Sequence, residues 1–305
     1  MGKRGWPGLR HAEGGYGPAG GTSPAMTRYK SQMTAAKTPI DISGTIALAG
    51  AGKMGSAMLT GWLARGLDAK RVAVIEPAPS PDIAALAASG IRLNPKQAGA
   101  VDTLVVALKP QTFGEVGATL KPWVGPATLV VSIMAGTTIA ALRAACGGAV
   151  VRAMPNTPAS IGRGITVAVA AKNVSATQRT TADALLSATG AVEWVDDESL
   201  MDAVTAVSGS GPAYVFLLAE ELARAGVAAG LPEALASRLA RETVAGSGEL
   251  LHRSDLASAT LRQNVTSPGG TTAAALEVLM GKDGLEQLMR RAIAAATARS
   301  KQLAK

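Results

Sequence analysis

Gly50, Gly52 and Gly55 stand directly behind an apolar run and ahead of a helical pattern, in the stretch TIALAGAGKMGSAM at residues 45–58. Glycines at that spacing suit the first strand-to-helix turn of a dinucleotide-binding fold. Gly50 lets the chain turn tightly, Gly52 lets the backbone approach a pyrophosphate, and Gly55 lets the helix lie close on the strand, its N-terminus holding the phosphates. Ala49, Ala51, Lys53 and Met54 complete the turn. A second strand-length apolar run, RVAVI at residues 71–75, ends on Glu76, at the distance where an acid can bind the adenosine ribose. A 2′-phosphate beside that carboxylate would be repelled, and Pro77, Ala78, Pro79 and Ser80 offer no Arg or Lys to receive it. The pattern therefore favours NADH and disfavours NADPH. Without the glycines before it, Glu76 would read as a surface acid closing a strand.

Other residues could finish such a site. In a doubly wound sheet, ligands sit beyond the carboxyl ends of the strands. Three later strand ends are thus candidate cofactor contacts that should face one crevice: Ala107, Leu108, Lys109 and Pro110; Met134, Ala135 and Gly136; and residues 154–158 with Asn156. Lys109 alone could equally be a surface lysine before a Pro-started helix. For a substrate, the candidate is Ser267, Pro268, Gly269, Gly270, Thr271 and Thr272, where two glycines and two threonines at a helix start present backbone N–H groups and hydroxyls to a carboxylate. By local pattern alone this is also an ordinary capped helix start after a Pro-Gly turn. The only histidines are His11 and His252. Neither is placed for acid/base work, so a reaction needing little of it, such as hydride reduction of a protonated C=N bond, suits the chain, with the cofactor carrying the hard step.

The elements that must position these residues follow from periodicity. Strands are expected at the start of the glycine turn, at residues 72–75, around 91–93, and at 102–108, 127–133 and 149–154, alternating with helices. That order predicts a doubly wound parallel sheet of Rossmann type. After Asp202 helices dominate: a long one opened by residues 208–212 (SGSGP) and closed by Gly230 and Pro232, a second over 232–252, and a third from Thr272 to the C-terminus. The expected organisation is a disordered N-terminal extension over residues 1–42, a dinucleotide-binding domain over 43–198, and a helical substrate-binding and dimerisation domain over 199–305. The extension is rich in Gly and Pro without sustained period, and Met26 and Met33 are candidate alternative starts.

Charge and cysteine content narrow the function classes. The formal charge is +8, but six basic residues against Glu13 place five of those charges in the first forty residues. The rest is nearly balanced, with no basic stripe interleaved with aromatics, so a nucleic-acid partner is not expected. One cysteine, Cys146, allows neither an intrachain disulfide nor a thiolate metal cluster, and fits a reducing, cytoplasmic compartment. The longest apolar helix is interrupted by Glu220, Glu221 and Arg224, so a membrane span is not expected, and no metal centre is expected either.

Taken together, AGAGKMG, ALKPQ, VVSIMAG, RAMPNTPA, SGSGPAYVF and VTSPGGTTAAALEVL, in that order over residues 44–279, resemble the pyrroline-5-carboxylate reductase family. The resemblance implies a Rossmann-type domain and a helical domain interlocking two copies into a dimer, often assembled further into rings. It implies pyrophosphate binding by Ala49 to Met54, an adenosine ribose facing Glu76 and Asn94, and a nicotinamide half flanked by Ala107 to Pro110 and Met134 to Gly136. The substrate carboxylate would be held by Ser267, Gly269, Gly270, Thr271 and Thr272, with the Thr272 hydroxyl near the ring nitrogen as the one candidate catalytic group. The implied reaction is hydride transfer from NADH or NADPH to the C=N bond of Δ1-pyrroline-5-carboxylate, giving L-proline in the last step of its biosynthesis. Members that favour NADPH tend to carry a small hydroxylated or polar residue where this chain has Glu76.

Three alternatives stand beside that expectation. One is a reductase of another cyclic imine. Another is a non-catalytic homologue that senses dinucleotide or proline. A 3-hydroxyacid dehydrogenase would need a lysine in the first helix of the second domain, and residues 211–230 contain none.

Overall fold

The computed structural model describes residue 40 and residues 42–303. Its first part is one sheet with helices on both faces. The elements run β1 (Ile46–Ala49), α1 (Lys53–Ala64), β2 (Val72–Ile75), α2 (Pro81–Ala85), β3 (Arg92–Leu93), β4 (Val101–Val106), α3 (Pro110–Val116), β5 (Val124–Ser132), α4 (Ile139–Cys146), β6 (Ala149–Met154), β7 (Gly164–Ala170), α5 (Ala176–Leu186) and β8 (Gly190–Val195). The sheet order is β3-β2-β1-β4-β5-β6-β7-β8. Strands β1 to β6 are parallel, in register Ala49 to Ile75 and Ala49 to Val106 across β1, so the carboxyl ends of β1, β2, β4, β5 and β6 share one edge.

Strands buried on both faces explain the unbroken apolar runs. Ile46 and Leu48 point into a core with Met58, Leu59 and Trp62 of α1 and Leu185 and Leu186 of α5. Ala47 and Ala49 point the other way, toward Leu104, Phe113, Trp123 and Leu142. Trp62 is wholly buried, and its indole N–H donates to the Leu185 carbonyl at 2.9 Å, so the largest core side chain leaves no polar group unpaired. Thr45 ties the foot of β1 to β4. Its N–H and hydroxyl both donate to Asp102 Oδ2, at 2.7 and 2.9 Å, and hold that carboxyl below its usual range.

Two departures from the purely parallel expectation are informative. β7 pairs with β6 antiparallel, and β8 pairs with β7 parallel, so the last two strands reverse the sheet. The expected elements include none between residues 158 and 202, where the chain makes β7, α5 and β8. A start signal was there: Ser175 and Gln178 form a reciprocal capping box on α5.

The extension expected over residues 1–42 ends earlier than that. Ile40 and Ile42 are buried in the core beside Trp62 and Leu67, the Ile40 N–H bonds to the Arg65 carbonyl at 3.0 Å, and Arg71 Nη2 donates to the Ile42 carbonyl at 2.6 Å. The remainder of that expectation, with His11, lies outside the described residues. Two buried isoleucines stabilise by about 1.5 to 3 kcal/mol each. A chain beginning at Ser43 is therefore expected to unfold at distinctly lower denaturant than one beginning at Pro39; equal midpoints would refute the packing role.

Beyond the sheet the chain is helical: α6 (Met201–Val204), a π-helical turn (Thr205–Gly209), α7 (Gly211–Ala228), α8 (Glu233–Arg253), α9 (Ser258–Asn264), α10 (Thr271–Leu279) and α11 (Leu285–Leu303). The single last helix expected from Thr272 is thus broken at residues 280–284 by the sequence MGKDG, and α9 is additional. These helices present apolar side chains outward. Phe216 is 67% exposed and Val278 76%, and α7, α9 and α10 bury no residue. Among the described residues no helix is long and apolar enough to cross a membrane.

Candidate dinucleotide and substrate site

The shared strand edge brings the glycine turn, Glu76 and the ends of β4 and β5 together. Gly50 follows β1 with φ of +92°, and a Cβ there would lie 2.6 Å from the Ala107 carbonyl oxygen. Gly55 lies so close beneath it that a Cβ would fall 2.2 Å from the Gly50 oxygen. Only glycine fits either place. Gly52 is different: it is exposed, nothing lies within 4 Å of where its Cβ would be, and its φ of −65° suits any residue. What it provides is room on the outer face of the turn.

Gly52 also caps α1, and that helix has neither a side-chain cap nor an acid in its first turn. The amides of its first turn are thus left to an anion, favoured there by the helix dipole. Ala49, Ala51 and Gly55 are buried, Met54 half-buried, and Lys53 exposed beside Gly52.

Glu76 turns back toward this cradle. Its Oε2 accepts from the Ala51 N–H at 2.8 Å and its Oε1 from the Ala78 N–H at 3.1 Å. The carboxylate is therefore fixed at the lip of the turn. Asn94, with φ of +47°, spends both ends of its amide on the Glu76 main chain: Oδ1 accepts from the Glu76 N–H and Nδ2 donates to the Glu76 carbonyl, both at 2.8 Å. Asn94 acts here as a bracket for Glu76.

At the next strand ends, Ala107 and Leu108 are half-buried, and Lys109 is an exposed N-cap before Pro110. Met134 and Gly136 are buried, Ala135 half-buried, and Gly136 takes φ of +72°. Asn156 uses its side-chain oxygen to accept from the Ile165 N–H at 3.0 Å, which fixes the turn between β6 and β7. His252, in the last turn of α8, lies against Arg163 and is solvent-facing. Burial raises the Cys146 thiol's pKa, and the residue lies deep in the fold as a core side chain.

Ser267, Gly269, Gly270, Thr271 and Thr272 are not drawn into this crevice by hydrogen bonding. Among the described residues, the backbone bonds of the loop stay local: Gly270 N–H to the Ser267 carbonyl at 3.0 Å and Ala274 N–H to the Gly270 carbonyl at 3.2 Å. Gly270 caps α10 with no side-chain cap, no acid lies in the first turn, Gly269 takes φ of +69°, and Thr271 is exposed. The loop is a second anion-suited helix start, presented outward.

Two residues at the same strand edge have no counterpart among the candidates from sequence. Arg152 on β6 is 5% exposed, and its Nη1 donates to Glu198 Oε1 at 2.8 Å. The same Oε1 accepts from the N–H of Ile139, the first residue of α4, at 2.9 Å. The readable signal was an arginine inside an apolar strand, since a buried guanidinium requires a carboxylate. Among the described residues no cluster of His, Cys, Asp and Glu could hold a metal ion.

A family model described as pyrroline-5-carboxylate reductase dimerisation matches residues 198–303, and one described as NADP oxidoreductase coenzyme F420-dependent matches residues 45–136. The chain is 41% identical over 264 residues to pyrroline-5-carboxylate reductase of Pseudomonas aeruginosa, covering 85% of this chain and 96% of that protein. It is 45% identical over 215 residues to the Synechocystis enzyme of the same name, covering 70% and 79%. The structure of a pyrroline-5-carboxylate reductase from Coxiella burnetii superposes with a TM-score of 0.79 at 33% identity, covering 87% of this chain and 100% of that one. Plasmodium falciparum pyrroline carboxylate reductase with NADP bound superposes with a TM-score of 0.71 at 30% identity, covering 86% and 99%.

Proposed function

The chain belongs to the pyrroline-5-carboxylate reductase family, and from that premise we infer that it reduces Δ1-pyrroline-5-carboxylate to L-proline with a nicotinamide dinucleotide as hydride donor. The observation that carries the inference is 41% identity to the Pseudomonas aeruginosa enzyme over 96% of its length. When bound, the reduced nicotinamide supplies the hydride that forms the new C–H bond at the imine carbon. The C=N π pair stays on nitrogen, whose one proton comes from solution or from the already protonated imine.

The chain's own contribution is then positioning. The open face at Gly52 and the uncapped first turn of α1 fit a pyrophosphate. Glu76, held at the lip of the turn by the Ala51 and Ala78 N–H groups, faces the adenosine ribose with a charge that accepts hydroxyls and repels a 2′-phosphate. For this reason we favour NADH. Ala107 to Pro110 and Met134 to Gly136 border the nicotinamide half, with Asn156 shaping the neighbouring turn. Residues 267–272 hold the substrate carboxylate through the α10 N-terminus, and the Thr272 hydroxyl stands near the ring nitrogen.

We divide the chain into a dinucleotide-binding domain over 43–198, extended to include Ile40 and Ile42, and a helical domain over 199–305. A groove of about 1130 Å³ runs between α7 and α8, lined by Ile161, Val215, Phe216, Ala223, Val227 and Val244. We assign it and the apolar faces of α7 to α10 to a second copy of the chain, as surfaces of this size and polarity call for a partner. Dimers would then be the unit from which any ring is built. The lone, buried Cys146 suits a cytoplasmic enzyme.

The test is oxidation of NADH and of NADPH by purified protein, followed at the nicotinamide absorbance band with and without pyrroline-5-carboxylate. Imine-dependent oxidation, faster with NADH, is expected. A six-membered cyclic imine should react more slowly by about 10- to 200-fold, the discrimination that about 1 to 3 kcal/mol per methylene allows. Oxidation only with the six-membered imine would reassign the substrate, and oxidation with neither would overturn the enzymatic reading.

A further inference from the structure

We propose that Glu198 is a positioning residue for the nicotinamide half of the site, acting through the first turn of α4. The proposal rests on the assignment of Met134 to Gly136 to the nicotinamide. That segment lies between two anchors. On one side β5 ends at Ser132, in register with Arg152 of β6, and the Ser132 hydroxyl accepts the Met134 N–H at 3.3 Å. On the other side α4 begins at Ile139, capped by the Thr138 hydroxyl, which accepts from the Ala141 N–H at 3.1 Å.

The second anchor is completed by a residue from far along the chain. Glu198 Oε1 accepts from the Ile139 N–H at 2.9 Å and from Arg152 Nη1 at 2.8 Å. One carboxylate oxygen therefore pins the start of α4 to β6. It also neutralises a guanidinium whose side chain is 6% exposed, where a free charge would be costly. A carboxylate at a helix N-terminus is favoured by the dipole as well.

The location of Glu198 gives this contact its consequence. It opens the 3-10 turn Glu198–Leu200, whose Asp197 cap accepts from the Ser199 N–H at 2.8 Å, and Met201 begins the helical part directly afterwards. Any shift of the helical part against the sheet pulls on this turn, and through Glu198 on α4 and the loop before it. The loop contains Gly136 at φ of +72°, and a glycine has the freedom to leave that conformation, so the loop's shape depends on its ends being fixed. Glu198 thus sets the nicotinamide border without touching the cofactor, while the adenosine end rests on β1, β2 and α1.

The experiment separates those two ends. NADH and ADP-ribose share the adenosine and pyrophosphate and differ by the nicotinamide. Glu198→Ala should leave the ADP-ribose Kd within about twofold and weaken NADH about tenfold, the effect of losing one charge-assisted bond at the loop. Glu198→Gln, which keeps an oxygen for the Ile139 N–H, should restore most of the difference. In case the alanine variant does not fold, Glu198→Leu with Arg152→Met removes the buried charge and the acceptor together, and it too should lose the NADH preference over ADP-ribose. The proposal is overturned if both affinities fall in parallel, if the NADH to ADP-ribose ratio is unchanged, or if only the KM for the imine rises, which would make Glu198 a substrate contact. Failure of the cofactor assignment would show differently, as absent ADP-ribose binding in the unmodified chain.

Discussion

Serine in place of Glu76 is expected to raise the NADPH-to-NADH ratio of kcat/KM by about two orders of magnitude. Two effects push the ratio the same way. The NADH ribose loses a hydrogen bond to a charged acceptor, about 1.5 to 3 kcal/mol, and the 2′-phosphate of NADPH no longer meets a like charge. A third effect cancels. Glu76 braces the glycine turn through the Ala51 N–H at 2.8 Å, so its loss loosens the pyrophosphate cradle for both coenzymes alike. Absolute rates should therefore fall while the ratio climbs. Asn94 serves as the control: it holds the Glu76 main chain and not its carboxylate. Asn94→Ala should lower both efficiencies with a much smaller change in ratio. A ratio unmoved by Glu76→Ser would show that the carboxylate serves the turn and not the ribose.

What the sequence discloses here divides along a physical line. The glycine turn is legible because its constraints are local: a positive φ at Gly50 and a helix pressed on its oxygen at Gly55 admit one residue type. β1, β2, β4, β5 and β6 are legible because burial on both faces leaves apolar runs, whereas β3 is only Arg92–Leu93 with Arg92 exposed. β7, GITVAVA, carries β-branched residues at every second position, a strand pattern, but its antiparallel pairing with β6 depends on long-range packing that no local pattern reports. Glu198 was hidden for a different reason. Its partners Arg152 and Ile139 lie 46 and 59 residues away, and nothing in the ESL around it marks a helix cap supplied from such a distance. The apolar texture of the helical part was visible, but whether it faced inward was not. Periodicity alone does not tell a face buried by the same chain from one awaiting a second copy.

That last distinction carries the strongest prediction. Two anion-suited helix starts, the uncapped first turn of α1 and the loop at residues 267–272, belong to one chain, yet the loop's backbone bonds are local and α9 and α10 bury nothing. In a two-fold dimer the loop of one copy can serve the cradle of the other. Two variants make this testable with little risk to folding. Gly52→Glu places a charged side chain in space with nothing within 4 Å, against the pyrophosphate position. Thr271→Glu adds an acid at the exposed first residue of α10, where the dipole tolerates it and a substrate carboxylate does not. Each variant alone should retain under about 1% of activity, the consequence of opposing a bound anion with a like charge by several kcal/mol. Co-expressed in equal amount, they should recover about a quarter of wild-type activity: half of the dimers are mixed, and each mixed dimer pairs one intact cradle with one intact loop. If each chain instead completes its own site, every site in the mixture carries a lesion and activity stays at the level of the separate variants. The recovered fraction therefore reads out directly whether catalysis belongs to the chain or to the pair.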